Sequence, residues 1–217
     1  MPRIPADERR AALVHAALRV VAERGVAATT TRAIVAEAGM WLASFHYAFT
    51  GRDELMVELI NTVVEQEERT LAPAMTSTTR PVSMRDAIRA GLAEFFSGVQ
   101  RDPQREKAMF ELTQYAMRTP GMEMLARRQY RRYYDLAASA LEAASEMSEQ
   151  DWTLPIDDVA TVLVALTDGL TIAWLVNRDD AAAGAIMDFA ADAVARLAAD
   201  GRTGSLHPVP LERTSPS

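Results

Sequence analysis

The 217-residue chain contains no cysteine, which excludes a disulfide framework and any zinc finger of the cysteine type. A reducing, cytoplasmic setting is the expectation that fits. Its three histidines, His15, His46 and His207, are too scattered to suggest a metal site, so neither metal nor cofactor is expected. Long apolar runs are scarce: the stretch from Val159 to Val176 comes nearest, but Asp168 interrupts it and it is short of a comfortable membrane span. No leader segment is visible, and no membrane partner is expected. The signatures of a helical enzyme are missing too, since there is no DDxxD-like cluster, HExxH, GxSxG or phosphate loop.

Positive charge is also in short supply, with 23 Lys and Arg against 30 Asp and Glu and a net charge of −7. Charge alone argues for an acidic soluble protein without a nucleic-acid partner. The division is uneven, however: residues 1–55 hold seven arginines and six acids, about +1, leaving about −8 on the remainder. Phosphates respond to the nearby field under salt screening, so a locally basic face on an acidic protein is sufficient.

Apolar residues make up 49% of the chain, ample for a core, and they recur at three and four with almost no period-two alternation. The fold class is therefore all-α, with about nine helices. The pattern predicts a first helix over about 7–23, ended by Gly25, then two short helices, and a fourth over about 53–71. Pro73 to Pro81 reads as a loop. Ser83-Met84-Arg85-Asp86 resembles a capping box opening the fifth helix, to about 100, and Asp102-Pro103 opens the sixth, ending before Thr119-Pro120. Pro120 suits the first position of a long seventh helix, to about 145. The eighth spans about 156–176 and the ninth reaches about 199, leaving a polar tail over 201–217 expected to be disordered.

The stretch from Thr29 to Leu55, TTTRAIVAEAGMWLASFHYAFTGRDEL, reads as two short helices hinged at a glycine and followed by a helix restart. Thr30 or Thr31 can cap the first, Ile34, Val35 and Ala38 point inward, and Gly39 supplies a left-handed turn. The second, about 42–47, is too short to be stable alone and must be held by packing. That is the layout of a helix-turn-helix DNA reader.

Together with Glu23-Arg24-Gly25, Ala38-Gly39, and Phe45-His46-Tyr47-Ala48-Phe49 before Arg52-Asp53-Glu54-Leu55, the segment over about 8–60 resembles the amino-terminal domain of the tetracycline repressor (TetR) family of bacterial transcription regulators. The family usually has Ser or Thr at Trp41, Gly at Ala43, Tyr at His46, Tyr or His at Ala48, and Lys at Arg52. The resemblance implies a three-helix reader over 1–52 and a helical ligand-binding and dimerisation domain over 53–200. It also implies a homodimer on a palindromic duplex, released by a small-molecule effector that shifts the fourth helix.

For DNA contact, the expected residues are Thr30, Thr31 and Arg32 at phosphate, Trp41, Leu42, Ala43 and Ser44 near base edges, and His46, Tyr47 and Arg52 at phosphate across the groove. The recognition helix has no Arg, Lys, Asn or Gln, so sequence choice would lean on thymine methyls, Ser44 and DNA shape. Trp41 is either a plug in the turn or an exposed aromatic near DNA. The basic arm with Arg3, Arg9 and Arg10 is either a set of backbone contacts or a solvated tail.

In the carboxyl-terminal part, Gln129 and Tyr133 place an amide and a phenol on an apolar stripe. Their partners are either protein and water or a ligand. Phe95, Phe96, Val99, Met109, Phe110, Thr113, Met117, Thr167, Asp168 and Thr171 are further candidates for a ligand site, each also readable as plain core. Asp168, a carboxylate among Val, Leu and Trp, requires a partner: a cationic ligand, an arginine, or a contact at a dimer seam. Glu111 and Gln114 pose the same question. Val159, Val162, Leu163, Leu166, Leu170 and Trp174 form one stripe of the eighth helix, and a second face is apolar as well. With Ala182, Ile186, Phe189, Ala190 and Ala193 of the small-residue ninth helix, they form the expected twofold interface.

The reading that unites these features is a ligand-responsive dimeric repressor. A helical ligand-binding or scaffolding dimer with a degenerate reader is the alternative, motivated by Trp41, Ala43 and Ala48. An all-helical enzyme comes last.

Overall fold

The computed structural model describes residues 5–71 and 83–199. Those residues form nine α-helices: α1 (Ala6–Arg24), α2 (Thr31–Glu37), α3 (Leu42–Ala48), α4 (Arg52–Leu71), α5 (Met84–Arg101), α6 (Pro103–Arg118), α7 (Glu123–Ser148), α8 (Ile156–Asn177) and α9 (Asp180–Ala195), with a 3₁₀ turn at Val26–Ala28. The expected loop over 73–81 and the tail over 201–217 lie outside the described residues, as does Arg3.

Side-chain caps set several of the helix starts. Ser83 accepts from the Asp86 amide at 3.1 Å while its hydroxyl donates to the Asp86 carboxylate at 2.7 Å, and Asp102 and Asp179 accept from the amides of Arg105 and Ala182 at 3.0 Å each. Two expected boundaries move. Gly121, at φ +85, breaks the backbone after Pro120, so α7 begins at Glu123 rather than at the proline. The ninth helix ends at Ala195 rather than near 199, because the residues beyond it pair their backbone with the segment before α8: Thr153 N–H donates to Leu197 O at 2.8 Å and Ala199 N–H to Asp151 O at 2.6 Å.

The chain divides into two compact units, the first from residues within Met1–Ala74 and Ser97–Tyr133, the second from those within Met75–Phe96 and Tyr134–Ser217. In the first unit, α1 packs against α2, α3, α4 and α6. Leu13, Ala16, Ala17 and Val21 of α1 are buried with Ile34, Phe45, Phe49, Leu55, Leu59 and Leu112 in one core. The sixth helix thus shares a core with the helix-turn-helix.

In the second unit, α8 and α9 pack together, and Val159, Ala160, Val164, Leu170, Thr171 and Trp174 form the buried side of α8. Phe96 meets the Trp174 ring edge-on at 5.5 Å. Arg178 closes α8 in the left-handed conformation, φ 54, which is costly for a residue other than glycine. Its guanidinium lies 4.2 Å from the centre of the Trp174 ring and offsets part of that cost. Arg85 and Arg89 of α5 pair with Asp192 and Asp188 of α9 at 2.6 and 2.7 Å, and the Arg89 hydrogen bond holds the Asp188 carboxyl below its usual range.

Candidate nucleic-acid interface

Thr30 is the cap of α2: its hydroxyl accepts from the Ala33 amide at 3.2 Å. The seven residues of α2 bury Ile34 and Val35, after which Gly39 takes φ +63 and the Met40 amide returns to Val35 O at 2.8 Å. This tight turn delivers Trp41 as the residue before α3, where its carbonyl accepts from the Ser44 amide at 2.9 Å.

At seven residues α3 has no independent stability. Two phenylalanines hold it. Phe45 and Phe49 are buried with ring centres 5.6 Å apart, and each contributes about 2 kcal/mol by removal from water. Arg10 of α1 clamps the same end: its guanidinium lies 4.2 Å from the centre of the Phe49 ring and donates to Ala48 O at 2.6 Å. It also pairs with Glu54 at 2.9 Å and Glu58 at 3.3 Å. Burial works against that cation, but the bonds and charges of Glu54 and Glu58 outweigh it. Arg10 is therefore part of the frame, not of a solvated arm. Arg9 lies in α1 as well.

With Phe45 and Phe49 inward, the outward side of α3 is set. Trp41 is 84% exposed and Tyr47 82%, and Leu42, Ala43 and His46 are exposed with them. Trp41 is not a plug in the turn; Met40, half-buried, packs against the core instead. Ser44 is half-buried. At α2, Arg32 and Thr30 are exposed and Thr31 is half-buried.

Arg52 behaves otherwise than the sequence suggests. Its guanidinium donates to Thr29 O and Val26 O, both at 2.7 Å, and to the Tyr115 hydroxyl of α6 at 3.2 Å. Tyr115 in turn donates to Asp53 at 2.8 Å. Burial, with the Asp53 bond second, pushes the Tyr115 phenol up, which keeps it protonated as a donor. Glu111, also on α6, accepts the Val26 amide. The turn between α1 and α2 is thus gripped from both sides, by α4 and by α6.

Sequence reasoning singled out Glu111 as a carboxylate in need of a partner, and that partner is backbone of the same unit. Nothing in the pattern flagged Arg10 or Tyr115 as members of this frame. An open groove of ≈ 600 Å³ beside it is lined by Val26, Ala27, Thr30, Arg52, Gln114, Tyr115 and Arg118; of these, only Gln114 is among the polar groups for which the sequence leaves a ligand open.

Those candidates fall in both units. In the first, Gln129 is buried, with its carbonyl accepting from Thr113 at 3.0 Å and its amide donating to the Tyr133 hydroxyl at 2.7 Å. Val99 and Met109 are buried, Phe110 is half-buried, and Met117 is exposed at the surface rather than lining an interior. In the second, Phe96 and Thr171 are buried, and Phe95, Thr167 and Asp168 are half-buried. The Thr171 and Thr167 hydroxyls donate to carbonyls of their own helix, Thr167 O at 2.8 Å and Val164 O at 2.9 Å.

The stripe expected at a twofold interface divides. Val159, Leu170, Trp174 and Ala190 are buried inside the second unit, which removes them from any surface. Leu163, Leu166, Ile186 and Ala193 are half-buried, and Val162 and Ala182 exposed. The outward apolar face runs through two residues of the expected set, Val162 on α8 and Phe189 on α9, the latter 67% exposed, together with Ile172 and Val176 on α8, the last 75% exposed. Helix α8 is long and apolar enough by composition to cross a membrane, with 33% of its most apolar window buried.

Comparison with known proteins adds to this geometry. Residues 13–59 match the family of bacterial regulatory proteins of the tetR type, and residues 84–199 match the carboxyl-terminal domain of BetI-type transcriptional repressors. The chain is similar to the nicotine-responsive transcriptional repressor HdnoR of Paenarthrobacter nicotinovorans, 29% identical over 178 residues that cover 82% of this chain and 89% of that one. It is likewise similar to the transcriptional regulator BetI of Brucella canis, 27% identical over 82% and 86% of the two chains. Among solved structures, the multidrug binding protein EbrR in complex with ethidium superimposes with a TM-score of 0.63 at 25% identity, over 88% of this chain and 98% of that one.

Proposed function

The chain belongs to the tetracycline repressor (TetR) family of bacterial transcription regulators, and we propose that it is a dimeric repressor of palindromic duplex DNA, released from its operator by a small organic effector. The observation that carries the reading is the outward side of α3. A seven-residue helix is held rigid from beneath by Phe45, Phe49 and Arg10 while Trp41, Leu42, Ala43, His46 and Tyr47 stand in solvent. A helix so short, braced and displayed fits a major groove about 12 Å wide. Arg32, with Thr30 and Thr31, is the group we place at phosphate. Arg52, spent on Val26, Thr29 and Tyr115, is a positioning residue that fixes where α2 begins.

The second copy covers the face of Val162, Ile172, Val176 and Phe189. Burying that face against its twofold mate gives a four-helix arrangement of α8 and α9 and accounts for an α8 apolar on both sides without a membrane. Two readers then stand on one body, and their half-sites lie about 34–36 Å apart or at a multiple of that.

An effector acts by changing that separation. Glu111 and Tyr115 of α6 and Arg52 of α4 hold the turn that opens α2, so a shift of either helix moves the reader. For effector contact we retain the candidates of the first unit, Val99, Met109, Phe110, Thr113, Gln129 and Tyr133. A nicotine-responsive repressor and an ethidium complex among the relatives support an organic molecule as effector. The protein acts in the cytoplasm and performs no catalysis.

The test is selection from a random duplex library with the purified full-length chain, followed by binding to the selected site over a range of salt. Salt-dependent binding to a palindrome supports the reading. A dimer that binds no duplex selectively at low salt contradicts it and leaves the scaffolding alternative.

A further inference from the structure

Resting on the DNA-reading role of α3, we infer that this chain selects its half-site through thymine C5-methyl groups, with Trp41 and Leu42 as the specificity-determining side chains. In the major groove each base pair offers hydrogen-bonding atoms, and thymine alone adds a methyl group. A helix that reads by hydrogen bonding carries Arg, Lys, Asn or Gln on its outward side, because two parallel bonds to one base need two polar atoms on one side chain. The outward side of α3 has none of these: it presents Trp41, Leu42, Ala43, His46 and Tyr47.

Burial sharpens the assignment. Ser44, the one small hydroxyl of the helix, is half-buried, whereas Trp41 is 84% and Leu42 43% exposed. Both stand at the amino-terminal end of α3, the end that meets base edges when such a helix enters the groove. An indole and an isobutyl group in water gain by covering apolar surface, and the thymine methyl is the apolar surface a major groove offers. His46 and Tyr47 sit one turn later, where single polar atoms suit phosphate.

The test removes the methyl and nothing else. The site selected from a random library by the full-length chain is resynthesised with uracil in place of each thymine, at symmetric positions of both half-sites. Uracil keeps thymine's pairing and its O4 acceptor. The inference expects, at one or more thymines per half-site, a loss of about fourfold in affinity per methyl removed, hence about fifteenfold for the symmetric pair. In Trp41→Ala or Leu42→Ala, both surface changes on a preserved frame, that difference should shrink to within about twofold. Selective binding with every uracil replacement silent overturns the inference and leaves the DNA-reading role standing. A uracil effect that survives unchanged in both variants also overturns it, since duplex deformability is then being read. Absence of selective binding by a folded dimer overturns the underlying role, and the inference with it.

Discussion

The carboxylate of Glu111 accepts a hydrogen bond from the backbone N–H of Val26 at 2.6 Å, across 85 residues of sequence. This bond ties α6 to the turn that opens the helix-turn-helix, and Gly25 is shaped around it: φ is +82, and a Cβ there would sit 2.9 Å from the Glu111 carboxylate. Gly25→Ala is therefore expected to lose on two counts, the left-handed backbone and displacement of Glu111 from Val26. A cost of about 1–3 kcal/mol follows. Thermal unfolding of the variant against the parent measures it, and an unchanged midpoint would contradict the role given to Glu111.

Arg52 is the second test of the frame. A phosphate contact and a positioning role make different predictions for Arg52→Ala. Loss of a phosphate contact lowers the salt slope of DNA binding by about one. Loss of three internal hydrogen bonds lowers thermal stability by about 1–3 kcal/mol and weakens DNA binding at an unchanged slope. The structure supports the second outcome, and Arg32→Ala should give the first.

For the twofold face, Phe189→Glu and Val176→Glu should convert the dimer to a folded monomer, seen by sedimentation velocity. Leu170→Ala should do the reverse, costing about 2–5 kcal/mol of stability with the dimer retained at temperatures where the chain is folded. If Leu170→Ala dissociated a stable dimer, the assignment of inward and outward sides would be wrong.

Acid should loosen the base of the reader. Glu54 accepts from the amide and hydroxyl of Thr50, at 2.8 Å each, and pairs with Arg10. These contacts, the Thr50 amide first, hold its carboxyl at about 2 against an ordinary 4.5. A lowered carboxyl contributes stability above its unfolded value, and that contribution is lost as pH falls from about 4.5 toward 2. Across that window the stability difference between the parent and Glu54→Gln should therefore shrink. A difference independent of pH would show that the Thr50 contacts are absent in solution.

The helix order and most of the helix starts were legible because capping side chains write them locally: Ser83, Asp102 and Gly39 act where they stand. The reader was legible for the same reason, through the Thr30 cap and the Gly39 turn. The side taken by Trp41 was not: it stands four residues before Phe45 as Phe45 stands before Phe49, and it is exposed only because it lies outside the helix as its cap. The inward side of α8 was not legible either. Val162 and Val159 are equally apolar, a helix apolar all round carries no periodic signal, and only tertiary packing decides that Leu170 goes in and Ile172 stays out. The sixth helix likewise belongs with the reader through Glu111 and Tyr115, contacts 62 to 85 residues apart that no local pattern encodes.

Intrinsic fluorescence offers an early check on the docking face. Trp174 is buried and Trp152 half-buried, so Trp41 is the tryptophan most open to solvent. Binding of duplex should change its emission, and Trp41→Phe should abolish the change. A signal of equal size in the variant would place DNA elsewhere.

The most direct measurement of the central claim is selection of a duplex site by the full-length chain and titration of that site over a range of salt. The account predicts a palindrome whose half-sites are separated by about 34–36 Å or a multiple, bound by a dimer with an affinity that falls steeply as salt rises. An intact dimer that shows no preference among duplexes at low salt would contradict it.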